Sequence, residues 1–191
     1  MPLVEGRALE KQGVLEAAKM MLVSARTAPK TGGVDDILTG MVDGDEIEPL
    51  AKAMDDIGDE RGIDGFHRDA KNVRDSDAVV VIGVRGSKKY ALDCGACGYN
   101  TCDEFEKAEK IEGLDFIGPT CLFKALDLGI ALGSAVKTAG VLNVDNRIMY
   151  RIGAAAVRLR MLPEATVIMG IALSAKGKNI YYDRIWPPPK K

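Results

Sequence analysis

Aromatic side chains are scarce in this chain: phenylalanine, tyrosine and tryptophan together supply 5% of its 191 residues. That is too few for a stacking platform on which single-stranded nucleic acid would lie. Positive charge is not in excess either, since the formal net charge is −2 at pH 7. Lys88-Lys89 and Lys190-Lys191 are isolated pairs, so a broad face for a phosphate backbone is excluded. Histidine occurs once, at His67, with no nucleophile pattern around it, and reads as a loop residue. No long apolar run is present. The most hydrophobic stretch, Leu128 to Val136, is bounded by Asp127 and Lys137, far short of the ~20 residues of a membrane span. The opening segment, Met1 to Arg7, lacks the apolar core of a signal peptide. The expectation is a cytoplasmic protein with neither nucleic-acid nor membrane partners.

Cysteine is missing from most of the chain too, and where it occurs it is concentrated. Cys94, Cys97, Cys102 and Cys121 are all four of them. The spacing Cys-x2-Cys-x4-Cys-x18-Cys fits a four-thiolate metal site, and soft thiolate ligands select iron–sulfur clusters or zinc. Three ligands on one tight loop cost little chain entropy, and the longer loop to the fourth adds slowly to that cost. Gly95, Ala96 and Gly98 put small residues where the backbone must turn its N–H groups toward sulfur. Two disulfides would use the same residues but suit an oxidising compartment. A thioredoxin-like pair at Cys94 and Cys97 leaves Cys102 and Cys121 without a role. Structural zinc remains the rival, since four cysteines close a tetrahedral site. Zinc ribbons, however, divide their ligands between two knuckles, whereas here three share one loop. The leading reading is a [4Fe–4S] redox site, with zinc as the alternative metal.

Around this window the sequence alternates helix and strand patterns. Val14, Leu15, Ala18, Met21 and Leu22 mark an amphipathic helix from about Arg7 to Thr27, ended by Pro29 and Gly32-Gly33. Asp36 to Val42 reads as a strand, Glu46 to Glu60 as a second helix, and Asp69 to Arg74 as a short third. Ala78 to Val84 is the clearest strand, its β-branched run implying burial on both faces. Within the segment 87–121, which interrupts the pattern like an insertion, Thr101 to Glu112 reads as a helix with Phe105, Ala108 and Ile111 toward the site. Leu122 to Ala139 reads as a long helix. Its Gly129 and Gly133 are costly inside a helix, which points to close approach of another backbone. Asp145 or Asn146 is placed to cap a helix running to about Leu159. Ala165 to Ala172 is another buried strand, and Trp186 to Pro189 an extended arm. The layout is α/β or α+β, a small sheet flanked by helices, in one domain over 1–191 with the iron–sulfur insertion at 87–121.

The cysteine segment, Cys94-Gly-Ala-Cys97-Gly98-Tyr-Asn-Thr-Cys102 and then Gly118-Pro-Thr-Cys121, resembles the four-cysteine iron–sulfur segments of redox subunits in anaerobic metabolism. The remainder is similar to the flavin-dependent nitroreductase fold in three pieces: Ser24-Ala-Arg-Thr-Ala-Pro29, Asp127-Leu-Gly-Ile-Ala131 and Val167-Ile-Met-Gly-Ile-Ala172. As a whole the chain looks like a family of uncharacterised ferredoxin-domain proteins from anaerobic microbes. Val144 to Met149 and Gly177 to Arg184 are features such membership implies. The resemblance implies a redox role, a redox partner protein or small-molecule electron acceptor, and a homodimer touching through the Gly129/Gly133 helix. It also implies FMN as a further cofactor. A flavin phosphate would take Arg26, Lys30 and Thr31 first, then Lys176 and Lys178, with Asn146 and Arg147 at the flavin edge. Two departures from the nitroreductase pattern stand out. The early arginine-rich segment is absent, leaving only Arg7 and Lys11, and Gly33 and Asp35 occupy the register of two flavin-facing amides.

Overall fold

A computed structural model of the chain describes residues 3–182; the expected arm at Trp186 to Pro189 lies outside them. Helix α1, Gly6–Thr27, buries Val14, Ala17, Ala18, Met21 and Ala25, the helical stripe read in the sequence. It stops before Pro29, because proline drives its preceding residue out of the helical region. Strand β1, Ile37–Asp43, leads to α2, Ile47–Arg61. Gly62 ends α2 in the left-handed conformation, φ 63°, and its N–H bonds the Gly58 carbonyl, the usual glycine C-cap. Helix α3 runs Asp64–Arg74. It is longer than the expected 69–74 helix and carries His67, which is therefore helical rather than part of a loop. An acid at its first position favours that earlier start.

Strand β2, Ala78–Val84, is buried at every position. Regularity then lapses through a short α4, Cys102–Lys107, and the paired strands β3, Ile111–Glu112, and β4, Ile117–Gly118. The helix expected over 101–112 is thus one and a half turns long. Thr101 Oγ1 accepts from the Glu104 N–H at its start, and Glu104 reaches back to the Asn100 N–H, close to a capping box. Helix α5, Leu122–Val141, strand β5, Asp145–Met149, helix α6, Tyr150–Arg158, and strand β6, Val167–Ser174, complete the fold.

The main sheet is antiparallel in the order β1-β2-β6-β5. Strand periodicity sends Val79 and Val81 to one face, under α2, α3 and α6, and Ala78, Val80, Ile82 and Val84 to the other, under α1 and α5. The result is three layers, helices on both sides of a small sheet. One expectation fails here: Asp145 and Asn146 begin a strand, not a helix. Asp145 pairs with Ser174 and Met149 with Gly170, and Asn146 spends its amide on the Val144 carbonyl. The open edge of β6 needs backbone partners, and that demand outweighs a local capping preference. A Cβ added at Gly129 or Gly133 would meet nothing within 4 Å, so among the described residues no other element packs its backbone there. Among the described residues no helix is long and apolar enough to cross a membrane.

Candidate metal centre

The four cysteines reach one pocket from three pieces of chain. Cys94 and Cys97 lie on the loop after β2, Cys102 opens α4, and Cys121 is the N-cap of α5. Their pocket is shared with Lys89, Tyr90, Tyr99, Phe105 and Phe123. Ala91, Asp93, Gly95 and Gly98 all have positive φ, between 46° and 88°, so the backbone coils tightly around the first two cysteines. Asp93 makes a reciprocal contact with the third: its N–H donates to Cys102 Sγ at 3.3 Å, and its Oδ1 accepts from the Cys102 N–H at 2.6 Å. The fourth is fixed to the main sheet, the Cys121 N–H donating to the Gly86 carbonyl at 2.8 Å. Gly86 is required there, since a Cβ would come within 2.7 Å of Thr120 and Thr166.

Cys102 and Cys121 are buried, at 8% and 6% exposure, Cys97 is half-buried and Cys94 exposed. All four are free thiols. Among the described residues no three Cys, His, Asp or Glu side chains are close enough together to clasp a metal ion. In thiolate metal sites binding of the metal is coupled to folding of the site. The donor set fits a thiolate-ligated metal: four soft ligands, a coiled loop and an N–H already directed at sulfur. Of the pocket-facing residues expected on the helix after Cys102, Phe105 is buried against the site with its ring edge on Tyr99, 5.9 Å between centroids. Ile111 is instead exposed. Asp103 and Glu106 hold Lys89 at 2.7 and 2.8 Å, and those bonds keep its ammonium form well above the ordinary lysine range.

Beside the pocket lies a group of buried charges not singled out from the sequence. Lys124, one turn into α5, is fully buried, with Nζ 2.5 Å from Asp36 Oδ2 and 3.7 Å from the centroid of the Tyr90 ring. Asp36 also faces Lys88 at 3.3 Å and Arg85 at 3.9 Å. Burial alone would raise its pKa, but the bonds from Lys124 and Lys88 win and hold it below the carboxylate range. Buried Asp127 accepts from the Thr31 N–H and hydroxyl, both at 2.9 Å, and from the Tyr90 hydroxyl at 3.1 Å. Burial and the neighbouring Asp127 push the Tyr90 phenol up to about 12. The readable signal was positional: Lys124 occupies the inward stripe that continues as Leu128, Ala131 and Ala135.

The flavin candidates do not share one place. Arg26 binds Asp35 and the Ile37 carbonyl, Lys30 binds the Arg26 and Ala28 carbonyls, and Thr31 binds Asp127. That group sits at the sheet end where Ile37 pairs with Val84, near the cysteines. Asn146 and Arg147 pair with Leu173 and Ala172, toward the other end, about 20 Å away for strands of this length. Arg147 donates to the Tyr181 carbonyl and lies over the Tyr182 ring. Lys176 bonds the Asp75 carbonyl, and Lys178 follows in the same loop. At this far end Arg7, Glu10, Lys11, Asp77 and Lys176 line a second pocket. It joins Arg7 and Lys11, left out of the flavin set, to one of its members.

Residues 117–184 match the family described as "Uncharacterized protein containing a ferredoxin domain" (DUF2148). A protein of Archaeoglobus fulgidus described as "Uncharacterized protein" is 48% identical over 189 residues, 99% of this chain and 100% of its own length. Solved structures share the fold at low identity. Nitroreductase CinD from Lactococcus lactis, in complex with chloramphenicol, superposes with a TM-score of 0.58 at 11% identity, covering 98% of this chain and 84% of that one. A nitroreductase with bound FMN from Desulfitobacterium hafniense gives 0.55 at 12%, covering 92% and 82%. The chain spans only 59% of nitroreductase A from Vibrio parahaemolyticus. With near-identical length and almost half its residues in common with the archaeal relative, and with α5 through β6 matched directly, the chain belongs to this ferredoxin-domain family and has the nitroreductase fold.

Proposed function

We propose that this is an iron–sulfur redox protein in which Cys94, Cys97, Cys102 and Cys121 hold a [4Fe–4S] cluster. Electrons pass between it and a redox partner protein or a small-molecule acceptor. The observation carrying this reading is the single pocket lined by four unpaired thiols. When bound, the cluster supplies one-electron transfer, its potential set by burial, net charge and hydrogen bonds to sulfur. The chain's own work is positional. Asp93 couples the first loop to Cys102, Gly86 fixes Cys121 to the sheet, and Phe105 and Tyr90 keep water from the buried ligands. Exposed Cys94 marks the side from which a partner approaches.

FMN enters the same reading as a second cofactor. Its support is the fold, together with the pocket at Arg7, Lys11 and Lys176. A dianionic phosphate takes such cations, here set against Glu10 and Asp77. A homodimer completes the reading: Met20 and Val23 of α1 and Leu126, Ile130 and Val141 of α5 are exposed apolar residues, available to a second copy.

Iron, acid-labile sulfide, zinc and flavin content of anoxically purified protein tests this. About four iron and four sulfide per chain are expected, falling sharply in Cys102→Ser and Cys121→Ser. Zinc without sulfide gives the structural staple instead. Neither metal removes both readings. Full cluster content without acid-released flavin leaves a relay rather than a flavoenzyme.

A further inference from the structure

We infer that the buried Lys124–Asp36 pair, acting beside Tyr90, sets the reduction potential of the cluster; this rests on the cluster reading above. A buried ion pair is seldom better for stability than apolar residues of the same volume. Lys124 and Asp127 are the two charges on the buried face of α5, and Lys124, three residues after Cys121, occupies a costly location unless its charge acts on something nearby. What lies nearby is the cysteine pocket. Tyr90, whose ring centroid is 3.7 Å from Lys124 Nζ, forms part of its wall, as do Leu122 and Phe123 just before Lys124.

Burial singles out the same residue among the cations that face Asp36. Asp36 faces three cations, Lys124, Lys88 and Arg85. Arg85 also pairs with Glu164 and Arg26 with Asp35, while Asp127, among the described residues, is bonded by the neutral donors of Thr31 and Tyr90. The Lys88 side chain is 61% exposed and that of Arg85 22%, whereas Lys124 is at 0%. Water and salt screen the first two, while the field of Lys124 acts through protein. A fixed cation stabilises the added electron, and its paired carboxylate opposes that effect. Lys124 therefore raises the potential and Asp36 lowers it. Both are positioning residues, since neither is a ligand.

The test is a redox titration of the cluster-loaded protein followed by electron paramagnetic resonance. Lys124→Met is expected to shift the potential down, Asp36→Asn to shift it up, and the double variant to return it near the starting value. Lys124→Arg should leave it in place. A merely structural pair would move both single variants in the same direction, with parallel loss of iron. Shifts of one sign, no shift, or failure of the double variant to retain cluster iron overturns the inference. Unaltered protein without cluster iron overturns the cluster reading itself, and metal analysis reveals that before any variant is made.

Discussion

His67 shows how one residue can be chemically perturbed without belonging to a site. Its Nδ1 is 2.8 Å from Asp55 Oδ1 and its Nε2 3.4 Å from Asp59. The bond to Asp55 raises its pKa above the ordinary 6.5, with Asp59 adding to the effect. Because the folded value is the higher one, the pair's stabilisation is complete below the unfolded pKa and fades as pH climbs through the folded pKa. A ring-proton NMR titration should give a midpoint above 6.5, returning toward it in Asp55→Asn. An unchanged midpoint in that variant would place the cause elsewhere. Residues differ in how far sequence reveals them. That the four cysteines would lie close together was legible because they are close in sequence, and they do line one pocket. Lys124 left a fainter trace, one of two charges, with Asp127, on a stripe that continues apolar. Arg7 and Lys11 left none, because Lys176 joins them only through the packing of α1 against the end of the sheet.

At the scale of elements, strands and helices with a strong internal period were legible: α1, α2, β2, α5 and β6 lie close to where their apolar patterns place them. Strand β5 was not, since Asp145 and Asn146 carry helix-start chemistry and only the unpaired edge of β6 makes them extended. Helix α6 sits hard on β6. A Cβ on Gly153 would lie 1.7 Å from the Ile168 carbonyl oxygen, and one on Gly170 would lie 2.0 Å from Ile152. Gly153→Ala should therefore destabilise the protein by about 3 kcal/mol or more, the upper range for overpacking, measured by denaturant unfolding. The glycines of α5 test the opposite case. Around Gly129 and Gly133 the space is open, so Gly129→Ala with Gly133→Ala should add about 1 kcal/mol per site to a lone chain. If a second copy packs its backbone there, the same double variant runs as a monomer in light scattering. A dimer that persists with the stability gain means the two glycines face solvent.

The whole molecule divides into a body built without the cysteines and a segment that carries them. Both core clusters, one on each face of the main sheet, are built without the cysteines or Phe105. Residues 85–121 contain one six-residue helix and two strands of two residues each, too short to hold themselves together. Their far part is anchored by protein contacts. Arg61 binds Asp115 at 2.6 Å, the Tyr150 hydroxyl donates to the same carboxylate at 2.8 Å, and Phe116 meets the Tyr150 ring edge-on at 5.0 Å. Tyr90, bonded to Asp127 and the Thr31 carbonyl, ties the start of the cysteine stretch to the body. Beyond it the contacts around Cys94, Cys97 and Cys102 are chiefly internal, Asp93 with Cys102 and Lys89 with Asp103 and Glu106. On the cluster reading proposed above, stripping the metal should therefore loosen the molecule unevenly. Hydrogen exchange is expected to accelerate across residues 91–107, while β1, β2 and β6 keep their protection and the hairpin at Asp115 stays near its original rate. Adding Asp115→Ala should release the hairpin as well. Global unfolding on metal removal, as in domains whose folding free energy is metal binding, would contradict this division. Unchanged exchange in the cysteine loop would mean that protein contacts alone order it, and that the thiols are prearranged rather than gathered by their ligand.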